Sequence, residues 1–152
     1  MNKKALFAII LFFGIFLINN VKADCGGAVA CICGDNLTNS RTFDGSDNLI
    51  NCSGTGLGIK TNDITLDCNG YNIGYGKTQT GFGINATGFS NITITNCNIN
   101  QVTANSDSHG IYINSPDCTI INNNITTIGQ WSDAIALIAG ADNTLISGNI
   151  LD

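Results

Sequence analysis

The sequence contains no glutamate and few basic residues: six lysines and arginines stand against eleven acidic residues, all aspartate, in 152 residues. Lys3, Lys4 and Lys22 lie within the first 23 residues, so without that segment the formal charge falls from −5 to about −8. Nucleic-acid binding needs clustered lysines and arginines. An anionic polymer is repelled by negative charge unless a cation intervenes. We therefore expect no nucleic-acid partner.

The chain also has one histidine, one methionine and one tryptophan. A copper site would need several His, Met or Cys ligands, and the sole methionine is Met1. We therefore expect no metal and no other cofactor. His109 is interpreted as the residue that begins a strand beside Gly110.

Long apolar runs are missing after residue 23. Before it, Lys3 and Lys4 precede a run of 14 apolar residues over 5–18, and small residues follow at positions 21 and 23. This pattern predicts a secretory signal peptide over residues 1–23. The alternative is a membrane anchor, but a spanning helix needs roughly 20 apolar residues. We expect a mature chain that is secreted or at the cell surface, without membrane insertion.

What the chain does have is a segment that recurs four times, over residues 62–73, 90–99, 117–125 and 142–150. Equivalent positions at Asn91, Asp117 and Asp142 are 26 and 25 residues apart. A fixed period of this size is typical of stacked units. Each unit contains strand-like pieces and turn residues but no helical stretch. The repeats over 53–152 therefore predict an all-β solenoid of about four to five coils, continuing beyond residue 152.

Apolar residues alternate with polar ones within each repeat, as at Ile92, Thr93 and Ile94, which is the period of a strand with one buried face. Stacked coils would then align equivalent isoleucines in two interior columns. The expected columns are Ile59, Ile84, Ile111 and Ile135, and Ile73, Ile99, Ile125 and Ile150. An inward asparagine ladder, with amides bonded along the axis, is expected at Asn98, Asn124 and Asn149.

All seven cysteines follow residue 23, where export permits disulfides. Four of them fall within residues 24–52, which we interpret as an N-terminal cap held by disulfides: Cys25, Cys31, Cys33 and Cys52. A metal site there is the alternative, disfavoured by the spacing and by the lack of a nearby histidine. Cys68 and Cys97 occupy nearly the same point of adjacent coils and are expected to pair. Cys118 replaces Ile92 in its repeat and is expected to stay free in the core.

The repeats over 109–125 resemble those of right-handed parallel β-helix proteins, a superfamily that includes pectate lyases, polygalacturonases and periplasmic copper-binding accessory proteins. Segments 31–38, 49–59 and 62–70 resemble the opening of exported archaeal and bacterial β-helix surface proteins. The resemblance covers about residues 31–152 and implies a right-handed, single-stranded parallel β-helix. The paired aspartates of polygalacturonases are missing upstream of His109. For the base of a lyase, Arg41 lies outside the repeats and Lys77 has no acidic cluster around it. The resemblance therefore assigns no catalytic residue.

Loops that precede the Gly–Ile pairs carry most of the side chains suited to binding. Stacking would bring three of these loops, 75–77, 107–109 and 130–133, to one edge. The alternative for Trp131 is that it packs against a neighbouring loop. The candidate glycan-binding residues are Tyr75, Asp107, His109, Trp131 and Asp133, with Tyr112 as a further aromatic.

Together these features predict a secreted or cell-surface scaffold with a structural, adhesive or carbohydrate-binding role, whose partner is a polysaccharide or glycan. The alternative is the N-terminal part of a polysaccharide-degrading enzyme, a lyase or glycoside hydrolase, with catalytic coils beyond residue 152. A solenoid that stops at residue 152 would expose open strand edges. We therefore expect further repeats or a partner to cover that end.

Overall fold

The computed structural model describes residues 24–152, so the predicted signal peptide, residues 1–23, lies outside the described residues. The described chain forms fifteen short strands and no helix. No stretch of residues 24–152 therefore forms a helix long and apolar enough to cross a membrane. The strands are β1 (Asp24–Cys25), β2 (Asp35–Leu37), β3 (Arg41–Thr42), β4 (Leu57–Ile59), β5 (Ile64–Asp67), β6 (Asn72–Tyr75), β7 (Ile84–Thr87), β8 (Ile92–Thr95), β9 (Asn98–Gln101), β10 (Ile111–Asn114), β11 (Thr119–Ile121), β12 (Asn124–Thr126), β13 (Ile135–Leu137), β14 (Leu145–Ser147) and β15 (Ile150–Leu151).

The strands pair in parallel within three sheets that follow one axis. Sheet A has the order β1-β2-β4-β7-β10-β13, sheet B the order β3-β5-β8-β11-β14, and sheet C the order β6-β9-β12-β15. From β4 onward each coil contributes one strand to each sheet, which gives about four turns. The predicted all-β parallel solenoid is confirmed.

Alternation decides which side chains fill the interior. In β8, Ile92 and Ile94 are buried while Thr93 and Thr95 are half-buried and face outward. Because the strands stack in register, each inward position becomes a column along the axis. The first predicted column is present in the three later coils at Ile84, Ile111 and Ile135.

In the first full coil the predicted column was wrong by two residues. Leu57, rather than Ile59, lies beside Ile84, and Ile59 lies beside Ala86. The sequence offers two consecutive Gly–apolar pairs there, at 56–57 and 58–59, and the first of them is the true equivalent of Gly83–Ile84. Both side chains are nevertheless buried, because they occupy alternate inward positions of one strand.

The second predicted column was wrong in the last coil, where Leu151 rather than Ile150 lies beside Ile125. Ile73, Ile99 and Ile125 are in register and buried as expected. Nothing in the described chain stacks on the last coil, so its apolar side chains are largely exposed. The exposed set includes Leu137, Leu145, Ile146, Ile150 and Leu151.

The asparagine ladder was predicted correctly at Asn149 but wrongly at Asn98 and Asn124. Asn98 and Asn124 are in register with each other, but Asn124 is exposed and Asn98 only half-buried, because this position faces outward. The buried amide is Asn123, which donates from Nδ2 to Oδ1 of Asn149 at 3.0 Å. The Oδ1 atom of Asn123 accepts the N–H of Cys97 at 2.9 Å. The inward ladder therefore consists of Asn123 and Asn149.

A column of glycines precedes the strands of sheet A and lets neighbouring coils approach closely. A Cβ atom at Gly56, Gly83 or Gly110 would lie 2.5–2.6 Å from the carbonyl oxygen of the equivalent residue in the next coil. For Gly110 that oxygen belongs to Ala134. Only glycine at these positions leaves room for the carbonyl oxygen of the neighbouring coil. The last coil has alanine there, with no described coil stacked beyond it.

Gly110→Ala is therefore expected to cost about 1–3 kcal/mol of unfolding free energy, the range for overpacking a tight interior. The matched control is Gly45→Ala, where the added Cβ would meet only the hydroxyl of Tyr71, at 4.0 Å. Urea unfolding of both variants measures the difference. A Gly110→Ala protein as stable as Gly45→Ala would contradict the close contact between coils.

The N-terminal cap, residues 24–52, joins the solenoid instead of forming a separate lid. Its strands β1 and β2 extend sheet A, and β3 extends sheet B. Two disulfides hold this irregular segment, Cys25–Cys31 and Cys33–Cys52. A short apolar core with little surface to bury gains most from such crosslinks.

The other three cysteines lie in the regular coils. Cys68 and Cys97 form a disulfide across adjacent coils, with a sequence separation of 29. Cys118 is a free, buried thiol whose Sγ–H donates to the carbonyl oxygen of Ser115 at 3.4 Å. Burial raises the pKa of this thiol above its ordinary value, so it behaves as a small apolar side chain.

Candidate functional site

The three loops that precede β7, β10 and β13 stack on one another at the edge where the strands of sheet A begin, which we call the loop edge. The N–H of Gly83 donates to the carbonyl of His109 at 3.0 Å, and the N–H of Gly110 donates to that of Asp133 at 2.9 Å. The N–H of Asp107 donates to the carbonyl of Gln130 at 3.1 Å. The loops thus form one continuous surface.

Three rings cluster on the outer side of sheet A beside the loop edge: Phe82, His109 and Tyr112. Phe82 and Tyr112 stack with centroids 4.6 Å apart and an interplanar angle of 22°. Phe82 and His109 stack at 5.8 Å and 12°, and His109 and Tyr112 lie 5.8 Å apart at 34°. All three are half-buried, so part of each ring remains accessible to solvent. We call this cluster the aromatic platform.

His109 and Asp133 form a polar pair at the border of the platform. The backbone N–H of Asp133 donates to Nδ1 of His109 at 3.0 Å, and Oδ2 of Asp133 lies 3.4 Å from the same nitrogen. When Nδ1 accepts a hydrogen bond, the neutral ring carries its proton on Nε2. His109 thus offers a donor at Nε2, and the Asp133 carboxylate, 67% exposed, offers acceptors.

Trp131 and Asp107 lie on the two loops that border this pair. Both residues are exposed, and the Trp131 side chain is 70% accessible. Their φ angles are 57° and 53°, in the left-handed region. That conformation is unusual for a bulky residue such as tryptophan, and it is held here in a short turn. The loop edge therefore presents an aromatic ring and a carboxylate to solvent.

Tyr75 does not belong to this surface. Its side chain is fully buried, and its hydroxyl donates to the carbonyl oxygen of Ser108 at 3.0 Å. Burial raises the pKa of Tyr75 well above its ordinary value, so the phenol stays neutral. The prediction that Tyr75 contacts a ligand is wrong: it supports the loop of Ser108 from inside.

Phe82 belongs to the platform but is not among the residues predicted from the sequence, where Tyr112 is only a further aromatic. Both could have been found from the repeat itself. Phe82 precedes Gly83 as His109 precedes Gly110, so the two occupy one column. Tyr112 lies between the inward Ile111 and Ile113 and must face outward.

Charged side chains of both signs lie on the loops of the loop edge: the carboxylates of Asp107 and Asp133, and the exposed Lys77 on the loop before β7. Arg41 is instead buried in the cap and paired with Asp47 at 2.7 Å. Residues 24–152 contain no group of three or more His, Cys, Asp or Glu side chains arranged to hold a metal ion. The arrangement offers ring faces, one N–H donor and carboxylate acceptors.

Comparison of the chain with protein-family models, with curated proteins and with solved structures gave no match. The function of the chain therefore has to be inferred from its fold and from the geometry of the loop edge.

Proposed function

We propose that this protein is an extracellular β-solenoid scaffold that binds a neutral glycan on the aromatic platform. Three disulfides suit an oxidising, extracellular environment. The solenoid provides a rigid support, because its columns of buried residues and its disulfides fix each coil against the next. Function then depends on what the outer faces present.

The stacked pair Phe82–Tyr112 is the observation that carries the proposal. The apolar interior of the solenoid is complete without these rings, since Ile84, Ile111 and Ile113 fill the inward positions of the same strands. Aromatic rings stacked on an outer sheet leave apolar area that a flat partner can cover. Sugar rings have an apolar face and a rim of hydroxyls, which matches rings bordered by donors and acceptors.

Charge supports a neutral ligand. Asp107 and Asp133 border the platform, and the described chain as a whole is negative. A polyanion would be repelled, while hydroxyl groups can donate to the exposed carboxylates and accept from Nε2 of His109. A neutral glycan is the ligand class that meets all of these conditions.

Binding to a glycan array is the test, with the purified protein in its disulfide-bonded form. Phe82→Ala and Tyr112→Ala are each expected to weaken binding up to roughly tenfold, because an aromatic stacking contact contributes about 0.5–1.5 kcal/mol. Trp131→Ala is expected to weaken it by a smaller factor. Tyr71→Ala is the matched control, since this tyrosine is 40% exposed near the start of sheet C.

Two results would decide against the proposal. Binding that Phe82→Ala and Tyr112→Ala leave unchanged would remove the platform as the site, and no glycan binding at all would leave a structural scaffold. New reducing ends released from a bound glycan, and lost in His109→Gln, would instead favour the polysaccharide-degrading alternative. The His109–Asp133 pair is the observation that motivates this assay.

A further inference from the structure

A concave feature lies at the same edge of sheet A, toward the N-terminal cap. It is a cleft of about 320 Å³ lined by residues 33–34, 53–55 and 79–80. These segments precede β2, β4 and β7, just as His109 and Asp133 precede β10 and β13. The cleft and the aromatic platform therefore occupy neighbouring parts of one line that runs along the solenoid axis.

Hydrogen bonds connect the cleft directly to the platform. The backbone N–H of Phe82, a platform residue, donates to Oγ1 of Thr55 in the cleft wall at 3.3 Å. The Thr80 hydroxyl donates to the carbonyl oxygen of Ser106, in the loop that leads to His109, at 3.3 Å. A ligand that leaves the platform toward the cap would meet the cleft next.

The cleft has the polar chemistry of a sugar-binding groove and no charge. None of the residues that line it is acidic or basic. Among the hydrogen bonds of residues 24–152, none involves the hydroxyl of Ser53 or the side-chain amide of Gln79, and both residues are exposed. An unpaired hydroxyl and an unpaired amide provide both donors and acceptors for sugar hydroxyls.

The walls of the cleft are held in place by backbone packing and a disulfide. Cys33 in one wall is bonded to Cys52, which adjoins Ser53 in the next wall. Gly81 approaches the backbone of Gly54 so closely that an added Cβ would collide with it. A groove with fixed walls loses little conformational entropy when it binds a ligand.

We infer that the ligand is a linear, uncharged polysaccharide chain that lies along the solenoid axis, on the platform at one end and in the cleft at the other. This inference rests on the proposed function and names its substrate class. The line from β2 to β13 crosses four strand spacings of about 4.8 Å, or roughly 19 Å. That length accommodates several sugar rings, so affinity should increase with chain length.

Calorimetric titration with cello-, xylo- and manno-oligosaccharides of two and six units tests the inference. The hexasaccharide of the preferred series should bind at least tenfold more tightly than its disaccharide. Ser53→Ala combined with Gln79→Ala should bring the hexasaccharide within about threefold of the disaccharide and leave the disaccharide unchanged. Asn100→Ala is the matched control, because this exposed amide lies in β9 of sheet C. Thermal melting checks that every variant is folded.

Three other outcomes are possible, and each would overturn a different part of the proposal. Equal binding of di- and hexasaccharide, both weakened by Phe82→Ala, would overturn the extended ligand and leave the platform as a site for a single sugar unit. A length dependence that persists in the Ser53/Gln79 variant would overturn the cleft as the path of the chain. No binding of any oligosaccharide, together with an empty glycan array, would overturn the proposed function itself.

Discussion

Replacing Asp47 with alanine is expected to unfold the N-terminal cap. The Asp47 side chain is 1% exposed and accepts two hydrogen bonds from the Arg41 guanidinium, at 3.1 and 2.7 Å. It also accepts the backbone N–H groups of Cys31 at 2.7 Å and Asp44 at 2.8 Å. One carboxylate therefore connects three separated parts of a segment that has little regular structure.

Removing the Asp47 carboxylate leaves the positive charge of Arg41 without its main partner. Hydrogen bonding to Asp47 raises the pKa of Arg41 above its ordinary value, so the guanidinium stays protonated. Its side chain is only 6% exposed, and its remaining contacts are the Gly27 carbonyl, the Ser46 hydroxyl and the Asp44 carboxylate. Breaking a buried ion pair from one side costs about 3–5 kcal/mol, and we expect the lower end because Asp44 can partly compensate.

Native-state hydrogen exchange shows which part of the chain loses stability in the Asp47→Ala protein. Asp47→Ala should increase exchange of amides in residues 24–52 much more than in β8 to β12, because a solenoid is stabilised mainly by contacts between neighbouring coils. Asp44→Ala is the matched control: its carboxylate lies 3.2 Å from Arg41 but is 60% exposed, so a small effect is expected. Equal effects of the two substitutions would show that Asp47 does not hold the cap.

The interior of the solenoid was largely predictable because it depends on a period. Isoleucine alternation and the 25–26-residue step fix the inward columns wherever each motif occurs once per coil, as at Ile84 and Ile111. The prediction failed at Ile59 and Ile150, where two apolar residues compete for one position. Because both candidates are apolar, the sequence pattern is almost the same for either choice. Packing against the neighbouring coil determines which of the two residues lies in the column.

The loops were less predictable because no period governs them. Tyr75 lies two residues after the inward Ile73 in β6, so alternation turns its ring inward; the prediction failed because residues 75–77 were interpreted as a loop, whereas the strand extends to Tyr75. The Arg41–Asp47 pair was not predicted, since both residues lie in the irregular cap, where no period governs the side chains. By contrast, the proximity of His109 and Asp133 followed from stacking, because equivalent positions of adjacent coils must lie side by side.

At one inward corner of the solenoid, the type of residue differs from coil to coil. It holds the Cys68–Cys97 disulfide first, and then Asn123, whose Oδ1 accepts the N–H of Cys97. Asn123 also donates to the carbonyl oxygen of Ile94 at 3.0 Å and is followed by Asn149. Buried backbone groups at this corner cannot reach water, and the amides of Asn123 and Asn149 supply hydrogen bonds to them in the later coils, while the disulfide holds the two preceding coils together covalently.

Replacing both Cys68 and Cys97 with alanine is therefore expected to destabilise the protein by about 3–4 kcal/mol, because the crosslink closes a loop of 29 residues in the unfolded chain. For a domain of this size the melting temperature should fall by roughly 10 °C. Thermal unfolding measures the loss, with Cys118→Ala as the matched control, since Cys118 is equally buried but closes no loop. A Cys118→Ala protein that loses as much stability as the double variant would show that side-chain volume, and not the crosslink, stabilises this corner.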